Sequence, residues 1–363
     1  MQFTDVILGI VMMVCAGLLS FTMTPIVRVL AYKLNAVDVP KDNRRMHKEP
    51  VPRLGGLAIF LGFVITSLLF CSLDKTLMGV LAGAVVIVVI GMLDDIFRLP
   101  AVLKFFVQIA AACIPAFCGS AIGYINFFGI QINFGAWSIP ATVLWIVAIT
   151  NAVNLIDGLD GLACGVSTIS AFSMLAFALL SPVVDFNSAM LTAVLAGACL
   201  GFLPFNLNPA KIFMGDTGAL FLGYMLANIS VMGLFKTNAL ISFATPFFIF
   251  GLPLLDTTFA VIRRVLKGQS PFHADRGHLH HRLIDVGLSQ KQTVATLYAL
   301  SALMGVAGII FSEKTMASAV ILLLVVLIEG IINWRIFRGD DITREHSGLH
   351  MKARGGNSEK EEK

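Results

Sequence analysis

The sequence predicts an all-α polytopic membrane protein, and three observations carry that prediction. Of 363 residues, 57% are hydrophobic and only 13% charged, with a mean hydropathy of +0.86, whereas a soluble domain carries about 25% charged residues. Apolar runs recur at the length of a membrane helix, about 20 residues. The basic residues fall on one side of those runs, as the positive-inside rule requires. A soluble enzyme is thereby excluded. The formal charge of +4, from 26 Lys and Arg against 22 Asp and Glu, is too mild to imply nucleic acid as a partner; the lipid bilayer is the partner the composition demands.

Candidate spans lie at residues 6–27, 54–73, 77–93, 105–120, 139–156, 164–182, 189–206, 218–235, 238–261, 294–312 and 316–337, which makes eleven helices. The first has no Lys/Arg-led stretch before it and no small-residue cleavage site after it, so it reads as a retained span and not a signal peptide. With the N-terminus outside, the loops at 28–53, 94–104, 157–163, 207–217 and 262–293 and the tail from 338 are cytoplasmic. Every Lys and Arg except Lys75, Lys236 and Lys314 then lies inside, and an even helix count would scatter them over both faces. Residues 121–138 (AIGYINFFGIQINFGAWS) predict a hairpin or re-entrant piece at the outer surface. The six cysteines lack the spacing of a zinc site or disulfide framework and read as reduced packing residues. Residues 1–337 form one transmembrane domain, and 338–363, with six basic and six acidic residues, a disordered cytoplasmic tail that includes His346 and His350. A homodimer stays open.

Charges at membrane depth are costly and tend to be functional, and each polar cluster here falls in a different loop of the same predicted face. Asp94 and Asp95 end the third span (GMLDDIFRLP), followed by Arg98 and Lys104. Adjacent carboxylates at the mouth of an apolar helix repel one another and seek a cation, either a divalent metal or a basic side chain; helix-end charges at the headgroups would look alike. The fifth span ends in Asn151, Asn154, Asp157 and Asp160 (NAVNLIDGLDGL). Spacing of three sets Asn151, Asn154 and Asp157 on adjoining parts of one helical face, before Gly158 and Gly161 turn the chain. A polar seam between helices is the plainer alternative.

The loop NPAKIFMGDTGAL sets Asp216 among small residues just before the eighth span, a hard oxygen ligand suited to magnesium with room for a bulky charged substrate. Thr217 reads as that helix's N-cap. The largest loop carries Arg263, Arg264, Lys267, His273, Asp275, Arg276, His278, His280, His281 and Arg282, donors that make a clamp for phosphate or pyrophosphate. A zinc site is the rival, although the spacing is not HExxH and no Cys is near. The first loop adds Arg44, Arg45, His47, Lys48 and Arg53, which positive-inside bias and anionic lipid also explain. Asp256 lies about two turns inside Arg263, near the same mouth, and Glu329 has no partner evident from sequence.

Carboxylates and amides for a metal, basic groups for phosphates and a lipid phase around them describe phosphoryl transfer between a soluble nucleotide and a lipid. There is no GxxxxGK[ST] loop, which excludes a P-loop ATPase. A secondary transporter or lipid flippase, with intramembrane acidic residues binding coupling ions, is the alternative from another class. Against it, the predicted outer face is nearly uncharged and no inverted repeat is evident. A membrane zinc hydrolase using the His loop is the second rival.

Taken in order, RxxH…P…GG, GMLDDIFRLP, NAVNLIDGLDGL, FMGDTGAL and GHLHHRL resemble the polyprenyl-phosphate N-acetylhexosamine-1-phosphate transferases over residues 40–290. HLHHRL resembles the WecA/TagO branch, which uses UDP-N-acetylglucosamine, and lacks the HHH-type run of the branch that handles UDP-MurNAc-pentapeptide. The resemblance implies transfer of N-acetylglucosamine-1-phosphate to undecaprenyl phosphate at the bacterial cytoplasmic membrane, with UMP as the other product. This is the first lipid-linked step of a teichoic acid, enterobacterial common antigen or O-antigen type of glycan. It implies magnesium, or manganese in its place, as cofactor. Carried over residue by residue, Asp216 resembles the principal metal ligand and Asn154 a second. Asp94 and Asp95 match the catalytic pair, one of which would deprotonate the lipid phosphate, and Asp157 and Asp160 match a second acidic motif, catalytic or nucleotide-contacting. Lys104 resembles a phosphate-binding lysine, Asn151 falls among the substrate-binding residues, and His278, His280, His281 and Arg282 match the loop that grips pyrophosphate. Because a phosphomonoester has its second pKa at about 6, little base assistance is needed at neutral pH and Asp94 can orient more than deprotonate.

Overall fold

Twelve helices carry nearly all the regular structure in the computed structural model of the protein, which describes residues 3–39, 50–127, 130–180, 185–233, 244–266, 268–269 and 277–312. They are α1 (Phe3–Lys33), α2 (Gly56–Phe70), α3 (Lys75–Phe97), α4 (Ala101–Phe117), α5 (Ser138–Ile156), α6 (Leu162–Leu180), α7 (Phe186–Asn206), α8 (Gly215–Gly233), α9 (Ala244–Ile249), α10 (Gly251–Leu266), α11 (Leu279–Asp285) and α12 (Gln290–Ser312). By length and composition, α1, α3, α5, α6, α7 and α12 each suffice to cross a membrane. The chain is a helical, multi-pass membrane protein.

Two expectations change. Of the span at 238–261, the described residues from 244 onward form two helices, the six-residue α9 and then α10, which part at Phe250. Helix α8 starts three residues earlier than its apolar run, at Gly215, so Asp216 lies in its first turn. Two short antiparallel strand pairs accompany the helices of this all-α fold: β1 (Val37–Asp38) pairs with β2 (Val51–Pro52), and β3 (Tyr124–Phe127) with β4 (Ile130–Asn133). The second pair is the hairpin expected between 121 and 138, with Phe127 opposite Ile130. The span at 316–337, the tail with His346 and His350, and Arg44, Arg45, His47, Lys48, Lys236, Lys267, His273, Asp275, Arg276, Lys314 and Glu329 lie outside the described residues.

Helix α8 is the axis of the bundle. It packs against α2, α3, α5, α6 and α7, and every residue from Thr217 to Met232 is buried. Small residues make this approach possible. A Cβ on Gly56 of α2 would stand 2.0 Å from the Gly218 nitrogen, and one on Gly91 of α3 2.6 Å from the Thr217 Cα, distances that side chains cannot meet without moving backbone. Helix α1 is the opposite case: it packs on α7 and α2 but presents Ile7, Val11, Val14, Leu18, Ile26 and Val29 outward, as a lipid-facing stripe does. Two of the large polar side chains inside the bundle bond within it: the Trp145 indole N–H donates to Ser230 Oγ (2.9 Å) and the Tyr224 hydroxyl to the Val80 carbonyl (3.1 Å).

Candidate active site

The glycines before α8 bring the site together. Gly215 sits at φ +69°, where a Cβ would also strike the Arg53 carbonyl, so only glycine fits and the chain can turn directly into the helix. The first N–H groups of a helix have no intrahelical acceptor, and here Asp95, from another helix, supplies one. Its Oδ1 accepts from Asp216 N (3.0 Å), and its Oδ2 from Thr217 N (3.0 Å) and Thr217 Oγ1 (2.6 Å). Arg53 Nη2 approaches Asp95 Oδ1 at 3.7 Å, and the Asp95 side chain is wholly inaccessible. Asp95 is thus the cap of α8, the part that sequence reasoning gave to Thr217.

Its neighbour Asp94 is also saturated. Oδ1 accepts from Leu99 N (2.6 Å) and Oδ2 from Lys104 Nζ (2.7 Å). The same ammonium donates to Asp216 Oδ2 at 2.6 Å, so Lys104 joins the end of α3 to the start of α8. The cation that the paired carboxylates seek is, in this arrangement, a lysine.

The α5–α6 turn forms the facing wall. Asn151 does not share the face of Asn154 and Asp157: its amide turns to Gln108 Oε1 on α4 (2.6 Å) and to the Val147 carbonyl (2.8 Å). Asn154 and Asp157 line the cleft, and neither side chain has a hydrogen-bond partner among the described residues. Burial, then the nearby charges of Asp216 and Asp95, push the Asp157 carboxyl up to about 8. Asp160 is held differently, its Oδ2 accepting from Asn208 Nδ2 (2.9 Å) and Ala210 N (3.1 Å).

Helix α11 brings the histidines. His278 is buried and directed away from the cleft, Nδ1 lying 2.9 Å from Asp256 Oδ2, while Asp256 Oδ1 accepts from Leu279 N (2.8 Å). Asp256, placed by sequence near the mouth of the site, thus anchors the start of α11. His280 is buried too, with its ring against Gly158; burial and the charge of His281 lower its pKa to about 3, so it is a neutral imidazole. Of the three histidines only His281 lines the cleft, and Arg282 is not among the lining residues.

The cleft encloses about 450 Å³ and is lined by Asn154, Asp157, Asp160 and Asp216, with Arg53 and His281 as its basic members and Asp38, Asp285 and Gln290 at its edge. Sequence reasoning missed the last three. Asp285 follows His281 by four residues on α11, a spacing that marks one helical face; Asp38 and Gln290 carry no such signal. Among the described residues no three His, Cys, Asp or Glu side chains converge to hold an ion unaided. A magnesium ion needs less, since it keeps several waters and binds through one or two carboxylates and substrate phosphates. Asp216, Asp157 and the Asn154 carbonyl are such a donor set, and an unpartnered Asp157 with a raised pKa marks an excess of negative charge that a cation would relieve.

A family model described as glycosyl transferase family 4 matches residues 77–234, which include both aspartate pairs, Lys104 and Asp216 but not α11. The probable undecaprenyl-phosphate N-acetylglucosaminyl 1-phosphate transferase of Bacillus subtilis (strain 168) is 41% identical over 309 residues, 84% of this chain and 86% of its own length. The decaprenyl-phosphate N-acetylglucosaminephosphotransferase of Mycobacterium tuberculosis (strain CDC 1551 / Oshkosh) is 36% identical over 359 residues, 90% and 89% of the two chains. The phospho-N-acetylmuramoyl-pentapeptide-transferase of Staphylococcus aureus (strain JH9) is 34% identical over 284 residues, 73% and 86%.

Proposed function

The chain belongs to glycosyl transferase family 4, and from that premise we propose that it transfers N-acetylglucosamine-1-phosphate from UDP-N-acetylglucosamine to undecaprenyl phosphate, releasing UMP and starting a lipid-linked envelope glycan. The observation that carries this reading is Asp216, in the first turn of the buried helix α8, facing the unpartnered Asn154 and Asp157 across a cleft whose basic members are Arg53 and His281. Acetylglucosamine as the sugar is supported by the higher identity and wider coverage of the Bacillus and Mycobacterium relatives than of the muramoyl-pentapeptide enzyme.

In the reaction an oxygen of the lipid phosphate attacks the phosphorus bonded to the sugar, a P–O–P bond forms, and the P–O bond to UMP breaks. Magnesium, or manganese in its place, is the cofactor we assign, and it would supply charge neutralisation at the donor diphosphate. Asp216, Asp157 and Asn154 would hold it. Arg53 and His281 meet the remaining diphosphate charge, the guanidinium as a two-pronged donor. Asp94 has both oxygens occupied, so its part is to set Lys104, and through it Asp216; a phosphomonoester already largely ionised at neutral pH needs no strong base. Asp95 positions Asp216 by capping α8, and Asp160 positions the turn that carries Asp157. His278, His280 and Asp256 hold α11, with His281 reaching the donor.

We further read the chain as eleven spans with the N-terminus outside and this cleft on the cytoplasmic face of the bacterial inner membrane, the arrangement that gathers the basic loops inside. The test is release of radiolabelled UMP by purified protein in detergent. Release that requires both undecaprenyl phosphate and magnesium supports the reading. Reaction with UDP-MurNAc-pentapeptide alone would overturn the sugar, and inertness with every UDP-sugar would overturn the activity.

A further inference from the structure

The turn bearing Asp157 and Asp160 is gripped from outside the residues that the motifs and the family model cover. The grip comes from α12. The Tyr298 hydroxyl donates to the Gly161 carbonyl at 2.5 Å, the same oxygen that accepts from Gly165 N at 2.9 Å. Gly161 is at φ +77°, and the Tyr298 ring fills the space over Gly165, where a Cβ would overlap the hydroxyl. Eight residues earlier, Gln290 Oε1 accepts from Asn208 Nδ2 (2.8 Å), which at the same time donates to Asp160 Oδ2 (2.9 Å). The connection between α11 and α12 is four residues long. It closes with a capping pair in which Ser289 N donates to Gln292 Oε1 (2.9 Å) and Gln292 N to Ser289 Oγ (3.3 Å). Apart from that cap, which touches no residue of the turn, the Tyr298 and Gln290 contacts and the short connection tie the acidic turn to the helix that carries His281.

We propose that Tyr298 and Gln290 are positioning residues for the transfer reaction, fixing the Asp157–Gly161 turn relative to His281 so that the two walls of the cleft meet the donor diphosphate together. The proposal rests on the function assigned in the preceding subsection. Positioning of this kind acts on the transition state more than on the acceptor lipid's affinity.

The test uses Tyr298→Phe, which keeps the ring over Gly165, and Gln290→Leu, which keeps bulk without the acceptor oxygen, each in the full-length protein. Each is expected to lower kcat about tenfold, the scale of one lost hydrogen bond, with KM for undecaprenyl phosphate within about twofold of wild type. Hydrogen exchange over residues 157–165 should rise in Tyr298→Phe. Gln292→Ala serves as the control: it removes the α12 cap without touching the turn, and should lower the melting temperature while leaving kcat unchanged. Unaltered kcat in both positioning variants, unaltered exchange in the turn, or a Gln292→Ala loss of kcat equal to that of Tyr298→Phe would overturn the proposal. A wild-type protein that transfers nothing would instead overturn the assigned function, and this inference with it.

Discussion

The carboxylates at the end of α3 and the one that follows α5 are used in opposite ways. On the α3 side all four oxygens of Asp94 and Asp95 accept hydrogen bonds, from Leu99, Lys104, Asp216 and Thr217. On the α5 side Asp157 accepts none among the described residues, and burial beside Asp216 raises its pKa. A carboxylate whose oxygens are filled by N–H groups is part of the frame, whereas one left open in a cleft is available to a ligand. Asp216 joins the two: one oxygen is held by Lys104, and the residue lines the cleft.

The largest effect expected from this difference is at Asp216. Asp216→Asn removes the charge that serves both sides, and UMP release should fall on the order of 10³-fold, the scale of losing a principal electrostatic element. Binding of manganese, followed by its spin resonance, should fall in parallel. Retention of either would break the assignment of Asp216 as a ligand.

Asp157 sharpens the contrast through pH. Its folded pKa of about 8 lies above the ordinary carboxylate value, so the metal-free protein holds a proton there at neutral pH and a cation must displace it. Manganese affinity should therefore rise about tenfold per unit from pH 6 to 8 and level off above that, a dependence that Asp157→Asn abolishes. The stability effect has the opposite sense. The folded state binds the proton more tightly than the unfolded chain, so this stabilisation is complete below the ordinary carboxylate pKa and is lost as pH rises through about 8. Metal-free protein should melt progressively lower as pH is raised from 5 to 8, and less steeply in Asp157→Asn.

On the saturated side the expected loss is first one of stability. Asp95→Ala leaves the Asp216 and Thr217 N–H groups and the Thr217 hydroxyl without their acceptor inside the bundle, at a cost of about 1–2 kcal/mol for the cap. Chemical denaturation in detergent should show this loss for Asp95→Ala and none for Asp157→Ala. Equal stability of the two variants would erase the distinction between frame and ligand.

How much of this is legible in the sequence follows from the range of each signal. Span positions rest on local apolar runs, and most helices fall within a few residues of them. Two exceptions differ in kind: α8 extends past its apolar run because Asp95, 121 residues away, caps it, whereas the parting of α9 and α10 at Phe250 leaves no mark in an uninterrupted apolar stretch. Asn154, Asp157, Asp160, Asp216 and His281 stand in motifs, and all line the cleft. What spacing does not encode is which polar side chain is already satisfied. Asn151 and Asn154 lie three apart, yet one bonds Gln108 on α4 and the other faces the cleft. Asp38, Gln290 and Tyr298 carry no motif, because they reach the site only through the packing of β1 and α12.

The smallest effect separates two adjacent histidines. His281 faces the cleft, while His280 is 3% exposed and its pKa is lowered to about 3. The unfolded chain binds a proton at His280 near pH 6.5 and the folded protein does not, so stability from this residue is present at neutral pH and is lost as pH falls through 6.5. At pH 5.5 the loss is about 1 kcal/mol relative to pH 7.5. His280→Leu has no proton to gain, so denaturation midpoints at the two pH values should differ less in that variant than in wild type, whereas replacing His281 should leave the difference intact. An unchanged pH dependence in His280→Leu would mean that folding leaves the His280 pKa where it stands in the unfolded chain, and would overturn its place as a buried neutral imidazole.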